Sequence, residues 1–240
     1  MVIAYGKTDI GANRKMNQDY FYVSTEPIGS LPNIFIVADG MGGHKAGDVA
    51  SREAVNTIIN EISATAAKDP VSIMEAAINS ANIKLLEKSR SAPEFEGMGT
   101  TLVMAVICND IIYIANIGDS RLYVIDDEIR QITRDHSFVQ EMVTLGKLDK
   151  KSAKNHEKKN YLTRALGVEE GTMADFFEIK SINGGRILMC SDGLTNMVDD
   201  DDIKNIVNGR TDIREAVKAL IEAANKNGGM DNITSVLIEP

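Results

Sequence analysis

The chain has no apolar run approaching the 18 or so residues of a membrane span, so a membrane partner is not expected. It has no excess of basic residues either: 26 Lys and Arg face 35 Asp and Glu, for a net charge of −9. That balance argues against nucleic acid as a main partner, because neutralising phosphates takes a basic surface. Cysteine is scarce, with only Cys108 and Cys190, both inside apolar runs. They read as reduced, buried packing residues of a cytoplasmic protein rather than a disulfide. Met1-Val2-Ile3-Ala4 does not open like a secretory signal, which again leads to a cytoplasmic location. There is no interior stretch rich in Pro, Gly or Ser, no internal repeat and no low-complexity tail. A single domain over residues 1–240 is therefore expected. The polar faces leave no obvious apolar patch, so a monomer is expected.

What is present is a set of aspartates at the ends of apolar runs. Ile34 to Val37 read as a buried strand that ends at Ala38 and Asp39, followed by four glycines within eight residues (Gly40, Gly42, Gly43 and Gly47) and His44. Glycines let a backbone turn sharply and approach a ligand closely. Alone, Asp39-Gly40 reads more simply as a turn. The pattern recurs, however. Residues 187–190 run into Ser191-Asp192-Gly193, and residues 114–117 into Gly118-Asp119-Ser120. Asp231-Asn232 stands at the mouth of another apparent strand, residues 233–238, and Asn17-Gln18-Asp19 precedes residues 20–23. Acidic residues are poor strand formers. Five of them gathered together would repel unless a cation neutralised them, and an all-oxygen pocket suits magnesium or manganese.

Between these points the elements alternate in an antiparallel manner. Residues 2–9 form a possible edge strand. Amphipathic helices are predicted over residues 48–66 and from Asp69-Pro70 onward, the latter with an aspartate cap and a first-turn proline. Hairpins are predicted at Asn109-Asp110, at Asp126-Asp127 and at Asn183-Gly184-Gly185. Residues 138–145 form a short helix and the polar stretch 149–161 a surface flap. The acidic run 199–202 reads as a helix start rather than a calcium site, since negative charge complements the first turn. A last helix spans residues 212–226, with Thr211 as its cap. Arg14 lies five residues before Asp19, and its planar fork matches phosphate oxygens; by itself it reads equally well as a solvated loop arginine.

Seven segments, in order, resemble the metal-dependent protein phosphatase (type 2C) family, in particular its compact bacterial serine/threonine members. They are Arg14-x-x-Asn17-Gln18-Asp19, Val37-Ala38-Asp39-Gly40-Met41-Gly42-Gly43-His44, Gly97-Met98-Gly99-Thr100-Thr101, Asn116-Ile117-Gly118-Asp119-Ser120-Arg121, Thr163-Arg164-Ala165-Leu166-Gly167, Ser191-Asp192-Gly193-Leu194 and Gly229-Met230-Asp231-Asn232. The resemblance spans nearly the whole chain. It implies an α+β fold, a four-layer α-β-β-α sandwich of two antiparallel sheets flanked by helices. It also implies two Mn2+ or Mg2+ ions, with a third at a looser site. Asp39 would bridge two ions, the Gly40 carbonyl would bind one, Asp192 and Asp231 would hold the other, and Asp119 would join Asp192 at the third. Asp19 would orient water and Arg14 would hold the substrate phosphate.

The implied reaction is hydrolysis of phosphoserine and phosphothreonine on proteins by a hydroxide held between two ions. The implied partners are phosphoproteins and a serine/threonine kinase that the enzyme opposes. Neither cysteine precedes an arginine at the spacing of thiol phosphatases, so a protein nucleophile is not expected. A phosphoprotein-binding scaffold without activity should have lost one of Asp39, Asp192 or Asp231, and all are present. The chain departs from the family pattern in three places. Gln18 replaces a common glutamate, Met41 stands where eukaryotic members place a histidine, and Glu157 stands where a proline is common. His44 is then the nearest candidate for a general acid, or a histidine bonded to its own loop.

Overall fold

Continuous apolar strands need cover on both faces, and here they find it in two stacked sheets. A computed structural model describes residues 2–43, 45–154, 156–180 and 184–240, with the backbone only at 150 and 151. In chain order the strands are β1 (Ile3–Asp9), β2 (Asp19–Ser24), β3 (Ile34–Met41), β4 (Gly99–Thr100), β5 (Leu102–Cys108), β6 (Ile111–Ile117), β7 (Arg121–Ile125), β8 (Ile129–Gln131), β9 (Asp175–Lys180), β10 (Arg186–Cys190) and β11 (Ile233–Glu239). The helices are α1 (Ala46–Ala64), α2 (Pro70–Ser89), α3 (Phe138–Thr144), α4 (Lys150–Lys154), α5 (Asp192–Thr195), α6 (Asp200–Asn208) and α7 (Ile213–Lys226).

One sheet runs β1-β11-β10-β7-β8 and the other β2-β3-β5-β6-β9, with β4 beside the end of β3. Every pairing is antiparallel. Successive side chains on a strand point to opposite faces, and the core divides accordingly. Ile34, Ile36 and Ala38 of β3 pack under α1 and α2. Phe35 and Val37 meet Met189 and Val236 between the sheets. Leu188 and Leu237 pack against α5, α6 and α7 on the far side. This is the four-layer sandwich, and it explains why β3 and β10 carry unbroken apolar runs.

The strand ends define where a site can form. Asp39 follows Phe35 and Val37 on the inter-sheet face, so near its end that face turns from apolar to a carboxylate. Asp19 lies directly opposite Asp39 across the β2–β3 ladder. Like charges directly opposite one another destabilise a sheet, which marks this end of the stack as built for something other than stability.

Some local expectations change. Asp39 and Gly40 lie inside β3, because β4 pairs with Gly40 and Met41 and extends the strand. The predicted hairpin over 174–190 does not form. β9 pairs with β6 in one sheet, whereas β10 pairs with β7 and β11 in the other. Asn183, its expected turn residue, lies outside the described residues. Asp212 rather than Thr211 caps α7, its side chain accepting the Arg214 N–H at 2.7 Å. Cys190 is a buried free thiol as expected, but Cys108, at the open end of β5, is only half buried. The acidic run is indeed a helix start, with Asp200, Asp201 and Asp202 in the first turn of α6. Among the described residues no helix is long and apolar enough to cross a membrane.

Candidate active site

A cleft of about 480 Å3 opens at the site end of the sheet stack. Its lining includes Arg14, Asp39, Gly40, Asp119, Asp192 and Asp231, six of the eight residues singled out from the sequence. Asp19 lies just beneath, and His44 lies outside the described residues.

Each carboxylate is held by a different device. Asp19 is buried, and its Oδ2 accepts the Ser191 and Thr234 hydroxyls, each at 2.7 Å. Those hydroxyls belong to the opposite sheet, so Asp19 ties the two sheets together at the floor of the cleft. The Asp39 N–H donates to Thr101 Oγ1 at 2.9 Å, and Thr101 shares a 2.7 Å hydroxyl contact with Ser120, next to Asp119. Thr100 Oγ1 donates to the Asp39 carbonyl. Asp192 opens α5, where Asn196 Nδ2 donates to its Oδ2 at 2.9 Å. Asn232 ties the start of β11 to the loop between β1 and β2, accepting the Gln18 N–H and donating to the carbonyls of Ile10 and Met16. Gly40 must be glycine, because a Cβ there would sit 1.9 Å from the Gly47 carbonyl oxygen.

The electrostatics are those of an uncompensated cluster. Burial, followed by the charges of Asp19 and Asp192, pushes Asp39 well above the usual carboxylate range. Burial raises Asp19 to about 7 against the opposing hydroxyl bonds, and raises Asp192 to about 6, with Asp231 adding to it. Asp119 is raised well above its ordinary value by burial and by Asp192 and Asp135, against the pull of Arg121. At the rim, Arg14 Nη2 donates to Asp231 Oδ2 at 2.7 Å with half its side chain exposed. Asp19 Oδ1 and Asp192 Oδ1 are buried with no hydrogen-bond partner. Orphaned carboxylate oxygens facing a polar cleft fit a hard divalent cation. Among the described residues no three side chains close around one point as a complete ligand cage. An ion that keeps much of its water shell needs only one or two carboxylates.

Sequence reading found the carboxylates but assigned no role to Thr101, Ser191, Thr234 or Asn232. The signal was present for three of them: Thr101, Ser191 and Asn232 sit in motifs already singled out. It was weaker for Thr234, whose role follows from β11 lying beside β10. Arg164, also in a quoted motif, reaches Asp175 Oδ1 at 2.6 Å from the cleft wall.

An α-β-β-α sandwich with a carboxylate cluster at one end of the sheet stack defines a metal-dependent phosphatase. The chain belongs to the protein phosphatase 2C family, whose model matches residues 8–237. It is 40% identical over 238 residues to the serine/threonine phosphatase stp of Listeria monocytogenes, covering 97% of this chain and 94% of that protein. It is similar in structure to the S. agalactiae serine/threonine phosphatase, with a TM-score of 0.93, 33% identity and 99% of each chain covered. It is also similar to the catalytic domain of the phosphatase PstP solved with two manganese ions, with a TM-score of 0.87, 31% identity, and 99% and 97% coverage.

Proposed function

We propose that this chain, acting as one catalytic domain, hydrolyses phosphoserine and phosphothreonine on proteins. The observation that carries the reading is the convergence of Asp39, Asp119, Asp192 and Asp231 on one cleft, with an arginine at its rim. Asp39 and the Gly40 carbonyl, with Asp192 and Asp231, would hold two divalent ions, manganese or magnesium. Asp119 would join Asp192 at a third, looser position. When bound, such ions supply a nucleophile from water at neutral pH and neutralise phosphoryl charge.

The chain's own residues do the rest. Arg14 binds the phosphate: its guanidinium offers a planar fork, and its exposed tether lets it leave Asp231 for the substrate. Asp19, fixed by two hydroxyls from the facing sheet, orients water at the cleft floor and accepts its proton. Asn232 holds the Gln18 and Met16 backbone, so that β2 and β11 keep their carboxylates in register. The phosphorylated partner is the product of a serine/threonine kinase that this enzyme opposes. Both cysteines are free, which fits a reducing cytoplasm, and the protein works there as a monomer.

The test is hydrolysis of p-nitrophenyl phosphate and of a phosphothreonine peptide by metal-stripped protein titrated with manganese. Turnover that rises with manganese and vanishes in Asp192→Ala is expected. No turnover with manganese or magnesium would leave a phosphoprotein-binding scaffold as the better reading. Deletion in the source cell should raise phosphothreonine on the opposed kinase; unchanged phosphorylation would overturn that pairing.

A further inference from the structure

Beside the catalytic cleft lies a second, apolar groove that nothing above uses. It has a volume of about 440 Å3, within the range of pockets that take small ligands. Its walls are α2, through Glu75, Ile78 and Ile83, and the chain leading into β9, through Met173, Ala174 and, in the strand itself, Phe176. Ile83 and Met173 are 57% and 73% exposed, although both are large and apolar.

The two cavities share a wall. Val168, Glu169 and Thr172 line the catalytic cleft, while Gly171, Met173 and Ala174 line the groove. That wall is fixed. Asn82 Oδ1 accepts the Gly167 N–H at 2.8 Å, its Nδ2 donates to the Glu169 carbonyl at 2.9 Å, and Thr172 Oγ1 donates to the same carbonyl. A chain with its phosphate in the cleft therefore has a short, rigid path over residues 168–173 into the groove. An extended peptide presents side chains to pockets at alternate positions. Glu75 is the one charged group in the groove lining, so a second phosphate or an acidic side chain is disfavoured there.

We propose that this groove receives an apolar side chain of the substrate protein, a few residues from the phosphorylated one, and so sets the substrate preference of the enzyme. The inference rests on the phosphatase reading of the cleft and specifies its substrate class: phosphothreonine or phosphoserine segments with a flanking leucine-like residue. Ile83 and Met173 are specificity residues here. They touch neither the phosphate nor the carboxylate cluster.

The test uses the full chain with manganese and two kinds of substrate. One is p-nitrophenyl phosphate, which has no flank to dock. The other is a phosphothreonine peptide series in which a single leucine is walked through each position on either side within a Ser/Gly background. One position should raise kcat/KM about tenfold through KM, as expected for burying part of a leucine. The double variant Ile83→Gln, Met173→Gln should flatten that preference to within about twofold, with p-nitrophenyl phosphate turnover and Tm unchanged. A flat scan with intact p-nitrophenyl phosphate turnover overturns the groove alone. A double variant that keeps the preference does the same. Absence of p-nitrophenyl phosphate turnover instead overturns the reading of the cleft, and the groove's role with it. If the groove takes a second copy of this chain, sedimentation will show a concentration-dependent dimer that the double variant abolishes, and the substrate proposal falls.

Discussion

The two walls of the cleft are made in different ways. On one side, Asp19, Asp39, Asp192 and Asp231 stand within two residues of the ends of paired strands, and the ladders fix their backbones. On the other, the described residues between β8 and β9 form the short helices α3 and α4 and long loops, and α3 has no buried residue. The carboxylate wall is rigid and strained by its own charge. The opposite wall carries little core and is held by discrete side-chain bonds, such as Asn82 to Gly167 and Glu169. A scaffold of this kind fixes the chemistry in the sheet ends and leaves substrate choice to a segment whose change costs the core little.

The sharpest way to break the comparison is at Asp192. Its removal takes a ligand from the cluster and, at the same time, one repelling charge from a buried site. Asp192→Ala should lower kcat by roughly 10³-fold, as expected from several kcal/mol of lost charge stabilisation. In EDTA the same variant should melt at a higher temperature than the parent, because function is held at the cost of stability. Circular dichroism melts beside a manganese-dependent rate assay read both signs. A variant that loses activity and also melts lower without metal would mean that Asp192 is chiefly structural.

Arg14 tests the hinge between the walls, since it stands at the rim and bonds Asp231. Arg14→Ala should cut kcat/KM for p-nitrophenyl phosphate roughly 10- to 150-fold, the range for a lost charged hydrogen bond. Arg14→Lys should recover part of this, because it restores the charge without the fork. Equal activity of all three would assign Arg14 to Asp231 alone.

The comparison also explains what could be read from the sequence. β3 and β10 were legible because burial on both faces leaves an unbroken apolar run, and each run leads into the aspartate that matters. The helix over Pro70–Ser89 was legible from Asp69, whose side chain accepts the Ser72 N–H as a cap should. Partnership between sheets was not. β9 and β10 look like a hairpin because turn chemistry is local, yet their partners, β6 and β11, are set by packing across distant sequence. For the same reason Thr234 and Ser191 could not be seen as the anchors of Asp19. The groove escaped as well, since Ile83 and Met173 are ninety residues apart and neither lies in a motif.

A smaller effect is the pH dependence of the metal-free protein. Folded Asp19 and Asp192 keep their protons up to about 7 and about 6, whereas unfolded aspartates lose theirs near 4. The folded chain binds more protons over that window, so its stability is greatest below it and falls as pH rises through 6 to 7. In EDTA, Tm should drop between pH 5 and pH 8 by about 5 °C or more, given 2–4 °C per kcal/mol for a chain of this length. Manganese should reverse the trend, with its largest stabilisation at pH 8, where no protons need be displaced. A Tm in EDTA that rises over this range would show that the carboxylates are neutralised from within the protein.

The smallest effect isolates the opposite wall. Asn82→Ala removes the partners of the Gly167 N–H and the Glu169 carbonyl, and Thr172 retains the latter. The expected cost is about 1–3 kcal/mol, as for a buried donor left unpaired, or a Tm loss of a few degrees. The carboxylate wall is untouched, so kcat for p-nitrophenyl phosphate should stay within about twofold and manganese affinity should not change. KM for a leucine-flanked phosphothreonine peptide should rise, because the chain between cleft and groove is no longer held in one place. A parallel fall in p-nitrophenyl phosphate turnover would mean that the two walls are mechanically one, and that the loop after Thr163 positions the reacting groups as well as the peptide.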